Sequence, residues 1–141
     1  RRGIKFCMRF GALMIGLPSG RWLSYPRPYI GKNRFDSKAI CYEGLSQTTK
    51  QWEAQETYGG KLVENIVQAI ARDCLAITML RVEKEGYPIV FHVHDEVIIE
   101  ARADGSQTLE EVEAIFRMPI SWAQDLPLKG AGYITNYYLK D

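Results

Sequence analysis

Between Gly59-Gly60 and Gly86 the chain carries apolar residues at Leu62, Ile66, Ala69, Ile70, Ile77 and Leu80, the spacing of one helical face. This spacing predicts a helix from Lys61 to about Glu85. Gly86 is a natural C-terminal stop and Pro88 prevents continuation. On a helical wheel Asn65, Gln68 and Arg72 fall together on another side, with Glu64 at its edge. Asp73 falls within the apolar stripe, where a carboxylate needs a partner or an exposed margin.

The segments around this helix read as strands. Ala12-Leu13-Met14-Ile15 and Trp22-Leu23-Ser24-Tyr25 flank a turn in which Pro18 suits the first central position and Gly20 tolerates a positive φ. A second hairpin is expected between Ala39–Tyr42 and Thr48–Trp52, turning near Gly44. An exposed loop over Pro26-Arg27-Pro28 and the basic residues Lys32, Arg34 and Lys38 joins the two. Trp22, Trp52 and Trp122 are scattered and read as packing residues. After the helix, the run from Ile89 to Glu100 is too long and too β-branched for one strand. It reads as a tight hairpin with His94 and Asp95 at or near its tip. Thr108-Leu109-Glu110-Glu111 matches a capping box opening a second helix through about Arg117. Pro119 is expected to start a short helical turn containing Trp122, and Leu128 to Tyr138 a final strand. The fold class is α+β, an antiparallel sheet backed by helices. The chain reads as a single domain over 1–141, with a basic β-hairpin region at 1–57. Residues 58–141 then carry the helix, hairpin, helix and terminal strand.

Composition narrows the function. With 46% hydrophobic and 25% charged residues the chain is globular rather than disordered. No run approaches the ~18 apolar residues of a membrane span, and Arg1-Arg2-Gly3 lacks a signal-peptide pattern. Cys7, Cys41 and Cys74 cannot all pair and show no CxxC spacing, which points to a reduced, cytoplasmic protein with no membrane partner. The net charge of +1 conceals an asymmetry, because residues 1–50 hold ten Lys/Arg against two acids and the remainder eight against fifteen. Such a split suits a basic surface facing a polyanion and an acidic region able to hold cations; the plainer reading is a set of solvated faces.

Val93-His94-Asp95-Glu96 is the one place where ionisable groups converge between two apolar strands. Adjacent Asp95 and Glu96 repel each other unless a cation is near, so a divalent metal is a reasonable partner; an ordinary polar turn is the plain alternative. His92 and His94 form an i,i+2 pair that, on an undistorted strand, shares one face and could hold zinc. The alternative there is one packed and one exposed imidazole. Asn65, Gln68 and Arg72 are side chains that reach groove edges and phosphates of nucleic acid, although a solvated helix face has nearly the same composition.

The segment Gly86-Tyr87-Pro88-Ile89-Val90-Phe91-His92-Val93-His94-Asp95-Glu96-Val97-Ile98-Ile99-Glu100 resembles the third conserved motif of family A DNA polymerases, a palm-domain hairpin carrying a metal-binding aspartate. Leu17–Pro26 is similar to that family's Gly-Arg hairpin, and Tyr58–Asp73 to its long helix in a phage-type version. Asp125-Leu126-Pro127-Leu128-Lys129-Gly130 resembles its closing segment. The four segments stand in the family's order and span essentially the whole chain. The resemblance implies the C-terminal palm portion of a DNA-directed DNA polymerase. Asp95 would then be a ligand of the two catalytic Mg²⁺ ions, Glu96 an auxiliary acid near them, and His94 would sit against the primer terminus. Glu64 stands where many relatives have a glutamine that reaches the primer–template minor groove. A carboxylate cannot donate there, so Asn65 and Gln68 are the neighbours that would substitute, with Arg72 and Arg21 as further DNA contacts. The implied partners are primer–template DNA, deoxynucleoside triphosphates and the N-terminal part of the polymerase. The implied setting is the cytoplasm of a bacterial or phage-infected cell. No segment resembles the family's first motif, with its Asp followed by Ser and Glu, nor the fingers helix that holds the triphosphate. The polypeptide alone is therefore expected not to polymerise. Two other readings compete: a non-catalytic nucleic-acid-binding module, and a small metalloenzyme using His92 and His94.

Overall fold

The computed structural model describes residues 3–33 and 35–138. In chain order the elements are β1 (Lys5–Arg9), β2 (Ala12–Gly16), β3 (Trp22–Pro26), β4 (Tyr29–Lys32), β5 (Lys38–Leu45) and β6 (Trp52–Thr57). After them come α1 (Gly59–Lys84), β7 (Ile89–Val93), β8 (Glu96–Ile99) and α2 (Leu109–Arg117). The class is α+β, with antiparallel strands and a long helix, as expected. Among the described residues the strands form three small sheets rather than one, in the orders β1-β2-β3, β4-β5-β6 and β7-β8. The chain divides into two compact units, one ending at Ala71 and the other beginning at Arg72, so the division lies within α1.

In the first unit, β1 has no counterpart in the sequence reading. It is joined to β2 by Phe10 (φ 53°) and Gly11 (φ 70°), two successive left-handed residues that match the right-handed twist of a tight hairpin. The β2–β3 turn is the expected one. Leu17 N–H donates to the Arg21 carbonyl at 2.8 Å and Gly20 N–H to the Leu17 carbonyl at 3.0 Å, with Gly20 at φ 91°. The β5–β6 turn is not at Gly44, which pairs with Glu53 inside the ladder. The chain reverses at 46–51 because Ser46 supplies its acceptors. Its carbonyl takes Lys50 N–H at 3.0 Å and its Oγ takes Thr49 N–H at 3.2 Å.

The expected basic loop also shortens, since Tyr29–Lys32 is strand β4, paired with Lys38–Cys41. What remains is organised by Asn33, whose Oδ1 accepts from Phe35 N–H at 2.9 Å and Ser37 N–H at 3.0 Å. Arg34 lies outside the described residues. Trp22 and Trp52 are exposed rather than packed: Trp22 lies over Gly16 and Trp52 donates its indole N–H to Glu43. The core of this unit joins Ile15, Leu17 and Tyr25 to Leu62, Ile66 and Ala69 of α1.

In the second unit α1 ends in a Schellman cap. Gly86 (φ 84°) donates to the Glu83 carbonyl at 3.0 Å and Tyr87 N–H to the Val82 carbonyl at 3.2 Å, while Val82 and Tyr87 share the core with Ile115. The buried positions of this half of the helix are Cys74, Thr78 and Val82; Leu80 lies off that line and is exposed. Thr78 can be buried because its hydroxyl donates to the Cys74 carbonyl at 3.0 Å. Burial pushes the Cys74 thiol above its ordinary pKa. Asp73 is half-buried and has a partner.

The capping box forms in full. Glu111 N–H donates to Thr108 Oγ1, and Thr108 N–H to the Glu111 carboxylate. After α2, Pro119 starts no helical turn. Ile120 and Ala123 instead form an isolated bridge closed by Ala123 N–H on the Ile120 carbonyl at 2.8 Å. The expected final strand is absent too. Residues 128–138 run as irregular chain, held by close approach rather than by a ladder. A Cβ on Gly130 would stand 2.9 Å from Phe116 and one on Gly132 would stand 2.8 Å from Leu109. Gly132 N–H donates to Glu113 Oε1 at 3.3 Å and Tyr138 meets Phe91 edge-on at 5.1 Å.

Candidate functional site

The hairpin β7–β8 places His94 and Asp95 alone at its tip, between the paired residues Val93 and Glu96. His94 has φ 50°. Positive φ at the first central position is what a two-residue hairpin demands, a place usually given to glycine. Histidine is among the side-chain-bearing residues most often found there. The register shifts between Ile89 and Phe91, so that Val90 is an extra residue in β7, bulged and exposed. A bulge of this kind bends a strand and re-aims the side chains beyond it. Asp95 is exposed and Glu96 half-buried, and neither carboxylate makes a hydrogen bond or ion pair within the described residues. Two adjacent, uncommitted carboxylates offer hard oxygen donors of the kind Mg²⁺ accepts. No group of three or more His, Cys, Asp or Glu able to hold a metal occurs among the described residues.

The His92–His94 pair does not share a strand face, because β7 ends at Val93 and His94 belongs to the turn. His92 Nε2 lies 3.3 Å from Arg72 Nη2. A guanidinium can only donate, so Nε2 is the acceptor in this contact, which occupies one of the two ring nitrogens a metal could use. This Arg72–His92 contact was not legible from spacing; it ties α1 to β7 inside the second unit.

The remaining candidates lie in the first unit. Glu64 accepts from Lys61 Nζ at 2.9 and 3.0 Å and from Gln68 Nε2 at 3.2 Å, forming an exposed ladder along α1. The bond to Glu64 raises the Lys61 pKa above its ordinary value. Asn65 is half-buried, and its Nδ2 donates to the Tyr25 hydroxyl at 3.0 Å, so it does not stand on the exposed face with Gln68. The spacing of α1 could not show this, because the acceptor is 40 residues away in β3. Arg21 Nη2 donates to the Ala69 carbonyl at 2.8 Å, fixing the β2–β3 turn to α1. The basic half of the chain is partly neutralised, since Arg27 pairs with Glu43 and Lys32 with Asp36. The Trp52 indole, followed by Arg27, holds the Glu43 pKa below the usual carboxylate range.

No described helix is long and apolar enough to cross a membrane. No family model matches the chain and no solved structure matches it. Over its whole length it is 49% identical to a DNA polymerase of Bacillus phage SP02, and it spans 22% of that polymerase's length.

Proposed function

We propose that this chain is the C-terminal palm portion of a family A DNA polymerase and carries part of the site for template-directed nucleotidyl transfer. The observation that carries the reading is the hairpin tip. Asp95 is held at a two-residue turn between two strands, exposed and uncommitted, with Glu96 beside it. The likeness over the whole chain to a fifth of a phage DNA polymerase supports the same reading. In this function Asp95 is a ligand of the catalytic Mg²⁺ pair and Glu96 an auxiliary acid. When bound, the ions would favour ionisation of the attacking 3′-hydroxyl and offset the charge that develops on the leaving pyrophosphate oxygens. The chain's own groups bind and orient. His94, fixed by its left-handed backbone, stands against the primer terminus. Gln68 and Arg72 offer donors to DNA, and Arg21 is a further DNA contact. Asn65 keeps a second Nδ2 hydrogen and its Oδ1 beyond the bond to Tyr25, on a side chain that is half-buried. The Glu64 carboxylate is neutralised by Lys61, which makes its place beside an anionic duplex tolerable. The other carboxylates come from elsewhere in the polymerase, so the chain alone does not extend a primer.

The test is primer extension with Mg²⁺ by the polymerase carrying this chain, with and without Asp95→Asn. Loss of one ligand of the metal clamp is expected to lower the rate about 10³-fold, several kcal/mol of transition-state stabilisation, with DNA affinity nearly unchanged. A loss below about tenfold overturns the assignment. Retained DNA affinity with unaltered Mn²⁺ binding identifies a pure nucleic-acid-binding module instead.

A further inference from the structure

We infer that the N-terminus of α1 and the β4–β5 loop form a phosphate-binding site, using none of the residues that carry the proposed polymerase function. A cleft of about 270 Å³ is lined by Asn33, Lys38, Ala39, Ile40, Glu56, Thr57, Tyr58 and Gly59, all within the first unit. That is below the ~300–1,000 Å³ of pockets for drug-sized ligands and several times the ~30 Å³ share of one water. It suits a small hydrated anion.

Three kinds of donor meet there. The first is the helix terminus. Leu62 N–H donates to the Tyr58 carbonyl at 3.0 Å, which puts Tyr58 at the capping position, where its side chain has no short oxygen to cap with. The first turn of α1 holds no acidic residue. No backbone acceptor takes up the Gly59 or Gly60 N–H among the described residues, and nothing lies within 4 Å of the place a Cβ on Gly59 would occupy. Those donors and the positive end of the helix dipole are open to a ligand.

The second donor is Thr57. It is 3% exposed, and its Oγ1 is buried without a hydrogen-bond partner among the described residues. A buried hydroxyl with no partner is uncommon in a folded protein, and a group received at this cleft would complete its hydrogen bonding. The third kind comes from the loop. Lys38 is exposed, with no ion pair among the described residues. The Oδ1 of Asn33 is used by Phe35 and Ser37, which leaves its Nδ2 to donate. Glu56 also lines the cleft but is already engaged. An ammonium, an amide, a hydroxyl and a helix N-terminus are the donor set a phosphate oxygen needs; no neutral or cationic ligand uses all four.

The experiment follows the amide resonances of Gly59 and Gly60 in the full chain during titration with inorganic phosphate, at constant ionic strength set with chloride. A parallel titration uses a short duplex DNA. The expected result is a saturable shift of both glycines. Thr57→Val, which keeps shape and removes the hydroxyl, should weaken it about tenfold or more, and Lys38→Gln comparably. Thr57→Val should also raise the melting temperature in phosphate-free buffer, because the orphaned hydroxyl is gone. Lys38→Gln lies on the surface and keeps the test valid if the buried variant does not fold. If both variants weaken DNA and inorganic phosphate together, the site takes a backbone phosphodiester. If they weaken inorganic phosphate alone, it takes a free phosphate or phosphate monoester. No shift at Gly59 and Gly60 with either probe, or shifts that both variants leave unchanged, overturns the proposal.

Discussion

Adding one methyl group at each end of α1 should move stability in opposite directions. Gly86 and Gly59 are alike in one respect: a Cβ on either would have nothing within 4 Å, so neither substitution is opposed by packing. They differ in backbone. Gly86 sits at φ 84°, and only there can its N–H reach the Glu83 carbonyl while Tyr87 N–H reaches that of Val82. An alanine must adopt the same left-handed conformation at a cost of about 1–2 kcal/mol, or give up the cap that aims the chain into β7. Gly59 has no positive φ, and alanine there narrows the unfolded ensemble for a gain of about 0.4–1 kcal/mol. The gap between Gly86→Ala and Gly59→Ala is then about 1.5–3 kcal/mol. Urea unfolding followed by far-UV circular dichroism measures it, provided the slopes with denaturant agree. If both variants shift the midpoint in the same direction by similar amounts, the left-handed cap is not what terminates the helix.

Two further outcomes follow from the packing and the electrostatics. Ile15 is 0% exposed at the centre of the first core, so Ile15→Ala should cost about 2–5 kcal/mol. Ile30→Ala, at a residue 70% exposed, should stay within about 0.5 kcal/mol, and equal losses would mean that β2 is not the core strand. The Tyr87 hydroxyl and the Thr108 N–H hold the Glu111 pKa below its ordinary 4.5. A carboxyl depressed in the folded state adds stability above the unfolded value, and that stability is lost as pH falls through the folded one. Melting temperature should therefore drop on acidification below about pH 4.5, and Glu111→Gln should flatten the drop; a variant with the wild-type slope would contradict this.

Local signals were legible in this sequence and distant ones were not. Pro18 and Gly20, Gly86 before Pro88, and Thr108 with Glu111 each encode a turn or cap within a few residues, and each forms as read. The hairpin tip at His94-Asp95 was legible for the same reason, since two β-branched runs leave only those residues to turn. Gly44 misled because glycine also serves where an aromatic side chain lies close: a Cβ on it would stand 3.0 Å from Tyr42. Strand β1 was missed because its turn uses Phe10 at a positive φ, where no side-chain type announces it. Tertiary partners lay beyond reach, among them Tyr25 for Asn65, Ala69 for Arg21 and His92 for Arg72. These decide which donors of the candidate interface stay open, and they join residues from 20 to 48 positions apart. The Val90 bulge depends on how β7 and β8 pair, which composition does not encode.

The polymerase role of the hairpin tip depends on whether the Asp95 carboxylate receives a divalent cation. Paramagnetic broadening of the backbone amide signals by substoichiometric Mn²⁺, recorded on the whole chain, measures this without need of catalysis. The expected result is selective broadening centred on His94, Asp95 and Glu96 that vanishes in Asp95→Asn. Broadening centred on another acidic stretch, or unchanged by that substitution, would contradict it.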